Sequence, residues 1–294
     1  MKFWQMIPWM ETEQLMEVAQ HAEALGFEGV MGADHALFPR VLNSPYPYTP
    51  GGECPVTADM AYPDPWVSIA AMAAVTKTLK FSTSIYVLPL RNPIEVAKAT
   101  ATLAIISGNR FILGAGIGWM KEEFDAYGVD FSSRGKRMDE TIAVLRELWR
   151  GDWTEYQGET IQFDSLKLNP SPSQSPSIYI GGSSMAALRR TARFGDGWIG
   201  HGNMPEEVPP LLKQLDALRR EYGREKDPFE AVIGLYSPPN LEVFRELENC
   251  GMTSSVNLPF RFTLGESSTL EAKKKHMDQF AEQVIVKMQA RSPR

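Results

Sequence analysis

Short apolar runs rich in β-branched residues alternate along this chain with longer stretches whose apolar positions recur every three or four residues. That pattern predicts strand and helix in regular turn. A first strand over residues 2–7 precedes a helix opened by Thr12, whose stripe of Leu15, Val18, Ala19, Ala22 and Leu25 ends at Gly26, a residue suited to the position just past a helix. Residues 29–32 form the second strand. A polar, proline-rich loop over 38–62 leads to Asp64-Pro65, where Asp can cap and Pro can take the first position of a helix over 66–75. The third strand, 79–87, is followed by the same device at Asn92-Pro93 and a helix to Ile106. The fourth strand, 110–114, precedes Gly116 and Gly118, a short helix over 121–126, and an amphipathic helix over 134–149 with Met138, Ile142, Leu145 and Leu148 on one face.

Residues 154–163 read as a small hairpin turning at Gln157-Gly158, and the proline- and serine-rich stretch beyond it as a connector, together an insertion and not a domain boundary. The fifth strand, 177–180, runs into Gly181-Gly182-Ser183-Ser184 and a helix to Phe194. Strands six, seven and eight follow at 198–200, 229–234 and 254–258, and a last helix covers 269–288. Eight alternations in 294 residues predict an α/β protein, a single (β/α)8 TIM barrel over residues 1–294 with a hairpin insertion. A doubly wound open sheet shares this local grammar. There the first strand usually meets a glycine-rich phosphate loop, and MIPWMETEQ has none.

Composition narrows the function. Hydrophobic residues at 43% and charged residues at 22% allow a sizeable core. The first residues carry no basic region followed by an apolar stretch, and no window approaches the ~18 apolar residues of a membrane span, so the expectation is a cytoplasmic protein without a membrane partner. Two cysteines, Cys54 and Cys250, match neither a disulfide framework nor a metal-ligand spacing, and no metal is expected. The net charge of −6 arises from interspersed acids and bases, which gives no electrostatic case for nucleic acid and favours a small-molecule substrate. Seven Trp, 14 Phe and 9 Tyr suit an aromatic-lined pocket, although core packing uses the same residues.

In such a barrel the working groups lie where strands end. Asp34-His35 after strand two is the first candidate pair: His35 can move a proton near neutrality, and the Asp34 carboxylate can hold ring or substrate groups, unless the two merely end a strand. Gly181, Gly182, Ser183 and Ser184 precede a helix, whose free N–H groups with two hydroxyls form an anion site or, more simply, a capped turn. Gly116 and Gly118 permit close backbone approach to a flat ligand, and Trp119 can wall a substrate pocket. His201, after strand six, is a second pocket candidate, whereas His21 and His276 lie on helices and read as surface residues. Arg134, Lys136 and Arg137 sit unfavourably at a helix start, either to receive anionic groups or to pair with Asp139 and Glu140.

Several ordered motifs carry a family likeness: GADH after strand two, STSIYVLPLRNP after strand three, IISGNRFILGAGIGW around strand four, EEFDAYGVDFSSRGKRMDETIAVLRELW, and IYIGGSSMAALRRTARFGDGWIG. Together they resemble luciferase-like oxidoreductases, closely over residues 1–200 and loosely beyond. Asp-His at residues 34–35 is similar to the branch that uses the deazaflavin coenzyme F420, whereas branches using FMN and oxygen more often have Glu-His-His. The resemblance implies hydride transfer between F420 and a small organic substrate. Its alternatives are an FMN-dependent monooxygenase served by a separate flavin reductase, and a flavin-binding paralogue without activity. It also implies a homodimer built on outer helices, a phosphate contact at residues 181–184, and a bulge at Ser84-Ile85, where several relatives have a non-prolyl cis peptide against the cofactor ring. This chain departs from the family at Trp119, where sugar-phosphate dehydrogenases that use F420 have a carboxylic acid. Ala104 and Asn109 stand where relatives have Asp and Gly.

Overall fold

The eight alternating strands that the pattern predicts all form, and these eight run parallel. In the computed structural model, which describes residues 1–290, they are β1 (Lys2–Met6), β2 (Gly29–Gly32), β3 (Lys80–Thr83), β4 (Phe111–Gly116), β5 (Ser177–Gly181), β6 (Gly197–Ile199), β7 (Glu230–Ile233) and β8 (Ser254–Asn257). Each pairs with the next, and β8 returns to β1 with Val256 opposite Trp4, so the sheet closes into an eight-stranded barrel without edges. A two-stranded antiparallel hairpin, Trp153–Gln157 with Gln162–Lys167, lies outside it.

Both faces of the barrel wall are buried, which is why the strands read as nearly continuous apolar runs. On β1, Phe3 faces the outer helices while Trp4 joins Met31, Ile112, Tyr179, Ile199 and Val232 inside the barrel. Small residues make room for the large ones: a Cβ on Gly29 would sit 2.2 Å from the Trp4 ring, and one on Gly197 would sit 2.6 Å from Tyr179.

The helices start where their caps place them. Asp64 accepts from the Trp66 and Val67 N–H groups at 2.9 and 3.0 Å to open α2 (Pro65–Ala74), after α1 (Leu15–Ala24), and Asn92 accepts from Ile94 at 2.9 Å to open α3 (Pro93–Ile106). Then come α4 (Lys121–Tyr127), α5 (Arg134–Trp149) and α6 (Met185–Phe194). Two helices absent from the pattern as read above, α7 (Val208–Glu221) and α8 (Leu241–Asn249), complete the outer ring with α9 (Phe260–Leu264) and α10 (Leu270–Phe280). The last predicted helix is interrupted by a π turn at Ala281–Ile285. Asn109 adopts φ 62°, a left-handed conformation that Asn tolerates in place of the family's Gly.

Candidate active site

Because every strand is parallel, all eight strand ends open at one mouth. Strand β3 ends in a cis peptide bond between Ser84 and Ile85, and pairing with β4 resumes at Tyr86–Val87. The Ile85 side chain occupies the space that two glycines leave open. A Cβ on Gly116 would lie 1.7 Å from its Cδ1, and one on Gly181 would lie 2.8 Å from its Cγ2. At Gly118, with φ 76°, a Cβ would lie 2.5 Å from Val87. These glycines therefore shape the bulge itself.

Asp34 holds that bulge in place. Its carboxylate is buried, accepts from the Val87 N–H at 2.9 Å, and pairs with Arg91 at 2.8 Å. Burial pushes its pKa up, opposed by the Arg91 guanidinium and the Val87 N–H. Asp34 borders the cavity, but both of its oxygens already have protein partners. These bonds tie it to the backbone that carries Ile85.

His35 is oriented by a residue that the sequence did not single out. Its Nδ1 lies 2.9 Å from Oε2 of Glu123, while the other Glu123 oxygen accepts from the Ala36 N–H at 2.8 Å. Glu123 is 1% exposed, in the first turn of α4. A carboxylate at Nδ1 favours the Nδ1–H tautomer and leaves Nε2 as the acceptor. Among the described residues Nε2 has no hydrogen-bond partner, and His35 lines the cavity.

The turn after β5 divides its labour. Ser184 caps α6, accepting from the Ala187 N–H at 3.2 Å, while the Ser183 hydroxyl lies 2.7 Å from Nδ1 of His201. Gly182 has φ 106° and its carbonyl accepts from Trp198 at 2.8 Å, an arrangement that turns the chain into the helix start. Arg134 opens the adjacent helix α5. Its guanidinium lies 3.8 Å over the Phe131 ring, its Nε is buried without a partner, and no carboxylate among the described residues pairs with it. The neighbouring basic residues serve structure: Lys136 pairs with Glu159, and Arg137 donates to the Pro89 carbonyl at 2.8 Å. The expected partners of the cluster are engaged elsewhere, Asp139 with Arg190 and Glu140 with the N–H groups of residues 159–161.

Across the mouth lies the loop over 38–62. The first turn of α4 anchors it: Glu122 accepts from the Asn43 and Ser44 N–H groups at 2.7 and 3.0 Å, and these bonds hold its carboxyl below the usual range against burial. Ring contacts then continue from residue to residue. Phe262 meets Trp9 at 5.3 Å, Trp9 meets Tyr62 at 6.4 Å, and Tyr62 meets His35 at 5.1 Å. His35 meets Trp119 at 5.9 Å, Trp119 meets Tyr46 at 5.1 Å, Tyr46 meets Tyr48 at 5.4 Å, and Tyr48 stacks on His201 at 4.7 Å. Burial pushes the Tyr46, Tyr48 and Tyr62 phenols up, so they remain neutral donors. Desolvation draws the pKa of His201 down, keeping that ring neutral. Together these residues surround a cavity of about 1200 Å³.

The structure thus gathers Asp34, His35, Ser84, Ile85, Gly118, Trp119, Gly181 to Ser184 and His201 around one cavity, with Gly116 beneath Ile85. The other two histidines lie on outer helices, away from this cavity. His21 is half-buried against Asp278 at 2.8 Å, and His276 is half-buried with Nε2 unpartnered. Cys54 and Cys250 are both free, and Cys250 is exposed and not part of the core.

Fold and site define a (β/α)8 protein with a large small-molecule cavity at its C-terminal mouth. A family model described as luciferase-like monooxygenase matches residues 5–237, and the chain belongs to that family of oxidoreductases. An uncharacterised protein of Mycobacterium tuberculosis is 36% identical over 274 residues, covering 92% of this chain and 94% of its own. The F420-dependent hydroxymycolic acid dehydrogenase of the same organism is 31% identical over 218 residues, 73% of this chain and 56% of that protein. Among solved structures, the coenzyme F420-dependent tetrahydromethanopterin reductase from Methanopyrus kandleri shares the fold with a TM-score of 0.76 at 16% identity, covering 98% and 99% of the two chains. No helix among the described residues is long and apolar enough to cross a membrane.

Proposed function

We propose that this chain is a cytoplasmic oxidoreductase that uses coenzyme F420 to transfer hydride to or from a small organic substrate. The observation that carries the reading is the buried Glu123 carboxylate locked on Nδ1 of His35, which leaves Nε2 free at the cavity. The pocket fits such a group. Ile85 stands over Gly116 and Gly181 as a backstop for a flat ring, and the start of α6 with Ser183 and Arg134 offers donors to an anionic group. When bound, the deazaflavin supplies or takes up the hydride. His35 would accept a proton from a substrate hydroxyl at Nε2, or return one to a developing alkoxide, with Glu123 stabilising the protonated ring. Asp34 and Arg91 fix the bulge, and the loop over 38–62 limits water.

The test is anaerobic oxidation of reduced F420 by a panel of ketones, aldehydes and enones, followed by its visible absorbance. Oxidation that requires both protein and carbonyl compound supports the reading. Turnover only with reduced FMN, oxygen and a separate flavin reductase would transfer the chain to the monooxygenase reading, and cofactor binding without any turnover to the silent-paralogue reading. The same proposal includes a homodimer formed through α2 and α3, where Val67, Ile105 and Ile106 are 71%, 44% and 56% exposed. Light scattering that finds only a 32.9 kDa species would reject it.

A further inference from the structure

The cavity has two ends of different chemistry. At about 1200 Å³ it exceeds the ~1000 Å³ upper range of ordinary ligand pockets, so a cofactor leaves room for a second molecule. The charges around it are unevenly placed. Lys121 is locked on both oxygens of Asp125 at 2.6 Å, which leaves Arg134 as the lining Lys or Arg without a carboxylate partner among the described residues. Arg134 belongs to the α6 end, because the next residue, Gly135, accepts from Arg190 of α6 at 3.1 Å. The region around His35 offers an anion no unpaired cation. Its walls are the rings of Trp9, Tyr62, Trp119 and Phe262, and the Glu122 carboxylate, with a buried and unpartnered Oε2, borders the same space.

Resting on the proposed function, we infer that the aromatic end takes a neutral, flat, largely apolar substrate carrying one carbonyl or hydroxyl group, and rejects carboxylates and sugar phosphates. Ring faces suit a planar apolar molecule, and an anion would have to lose its hydration without gaining a cation. The phenols of Tyr46 and Tyr62 supply neutral donors for a single oxygen. His35, in edge contact with both Tyr62 and Trp119, places its proton-transfer group in that same wall.

The experiment is calorimetric titration of the protein, alone and with F420 added, using 2-acetylnaphthalene, the isosteric anion 2-naphthoate, and glucose 6-phosphate. The ketone is expected to bind at least about tenfold more tightly than the naphthoate, which is roughly the cost of one unpaired polar contact, and glucose 6-phosphate not at all. Trp119→Leu and, at an exposed position, Phe262→Ser should each weaken the ketone by about 2- to 12-fold, the range of one aromatic contact. Far-ultraviolet circular dichroism identifies any variant that fails to fold, and Phe262→Ser alone then decides. Equal affinity for ketone and naphthoate, binding of the sugar phosphate in preference to both, or no ketone binding in either state would overturn the inference. F420 binding is read separately from its absorbance. Bound F420 without bound ketone removes only the substrate class, whereas bound ketone without F420 removes the proposed function and leaves the aromatic site standing.

Discussion

Replacing Glu123 with Gln changes almost no volume but reverses one hydrogen-bonding direction. Both oxygens of Glu123 accept, one from the Ala36 N–H at 2.8 Å and one from Nδ1 of His35 at 2.9 Å. A glutamine has one carbonyl oxygen and one NH2 group, so it cannot accept from both. If its oxygen stays with the backbone N–H, its NH2 faces Nδ1, and the imidazole must carry its proton on Nε2. The nitrogen left free for substrate is then a donor, and no carboxylate supports the protonated ring. Turnover should fall by about 10²- to 10⁴-fold, the usual contribution of a positioned acid or base. Folding stability should fall by only about 1–3 kcal/mol, the cost of impairing one buried charge-assisted bond. The assays are steady-state kinetics on an established substrate, thermal unfolding, and 15N NMR of the imidazoles, which reports the tautomer directly. A Glu123→Gln protein with unchanged turnover and His35 still protonated on Nδ1 would show that Glu123 does not set the state of the imidazole.

Three further outcomes follow from the geometry. Asp34→Ala strands the half-buried Arg91 guanidinium and the Val87 N–H, so thermal unfolding should show a loss of about 1–3 kcal/mol, and a fluorescence titration a weaker affinity for cofactor. Gly116→Ala puts a methyl group 1.7 Å from Ile85 Cδ1 and should lower the melting temperature, and the added change Ile85→Ala should restore much of the loss; an unmoved melting temperature in the single variant would show that Ile85 does not depend on this glycine. Gly182→Asp forces a side chain into φ 106°, 3.1 Å from Ala187, and sets a carboxylate at the start of α6, so cofactor affinity measured by equilibrium dialysis should be lost.

The fold was legible because its signals are local. Asp64-Pro65, Asn92-Pro93 and Thr269 cap the helices they precede, and the strands declare themselves by β-branched runs between polar breaks. The strand ends then fix which residues can meet at the mouth, which is how Asp34, His35 and the turn over 181–184 came to be singled out. Glu123 was not legible, since its burial depends on a contact across 88 positions, and nothing in KEEFDAY distinguishes it from the solvent-facing acids beside it. Asp34 shows the same limit from the other side. Its position at the cavity was evident, but its partners lie 53 and 57 residues away, so its tie to the bulge was not. The loop over 38–62 has no periodicity of its own, and takes its shape from the bonds to Glu122 and the stack on His201.

Cofactor choice is the hinge of the account, and native mass spectrometry of the purified chain mixed with equal amounts of F420 and FMN measures it without knowledge of the substrate. One F420 per chain is expected, retained at concentrations where FMN is not, and lost in Gly182→Asp. FMN bound in preference to F420, or neither cofactor retained by a folded protein, would contradict it.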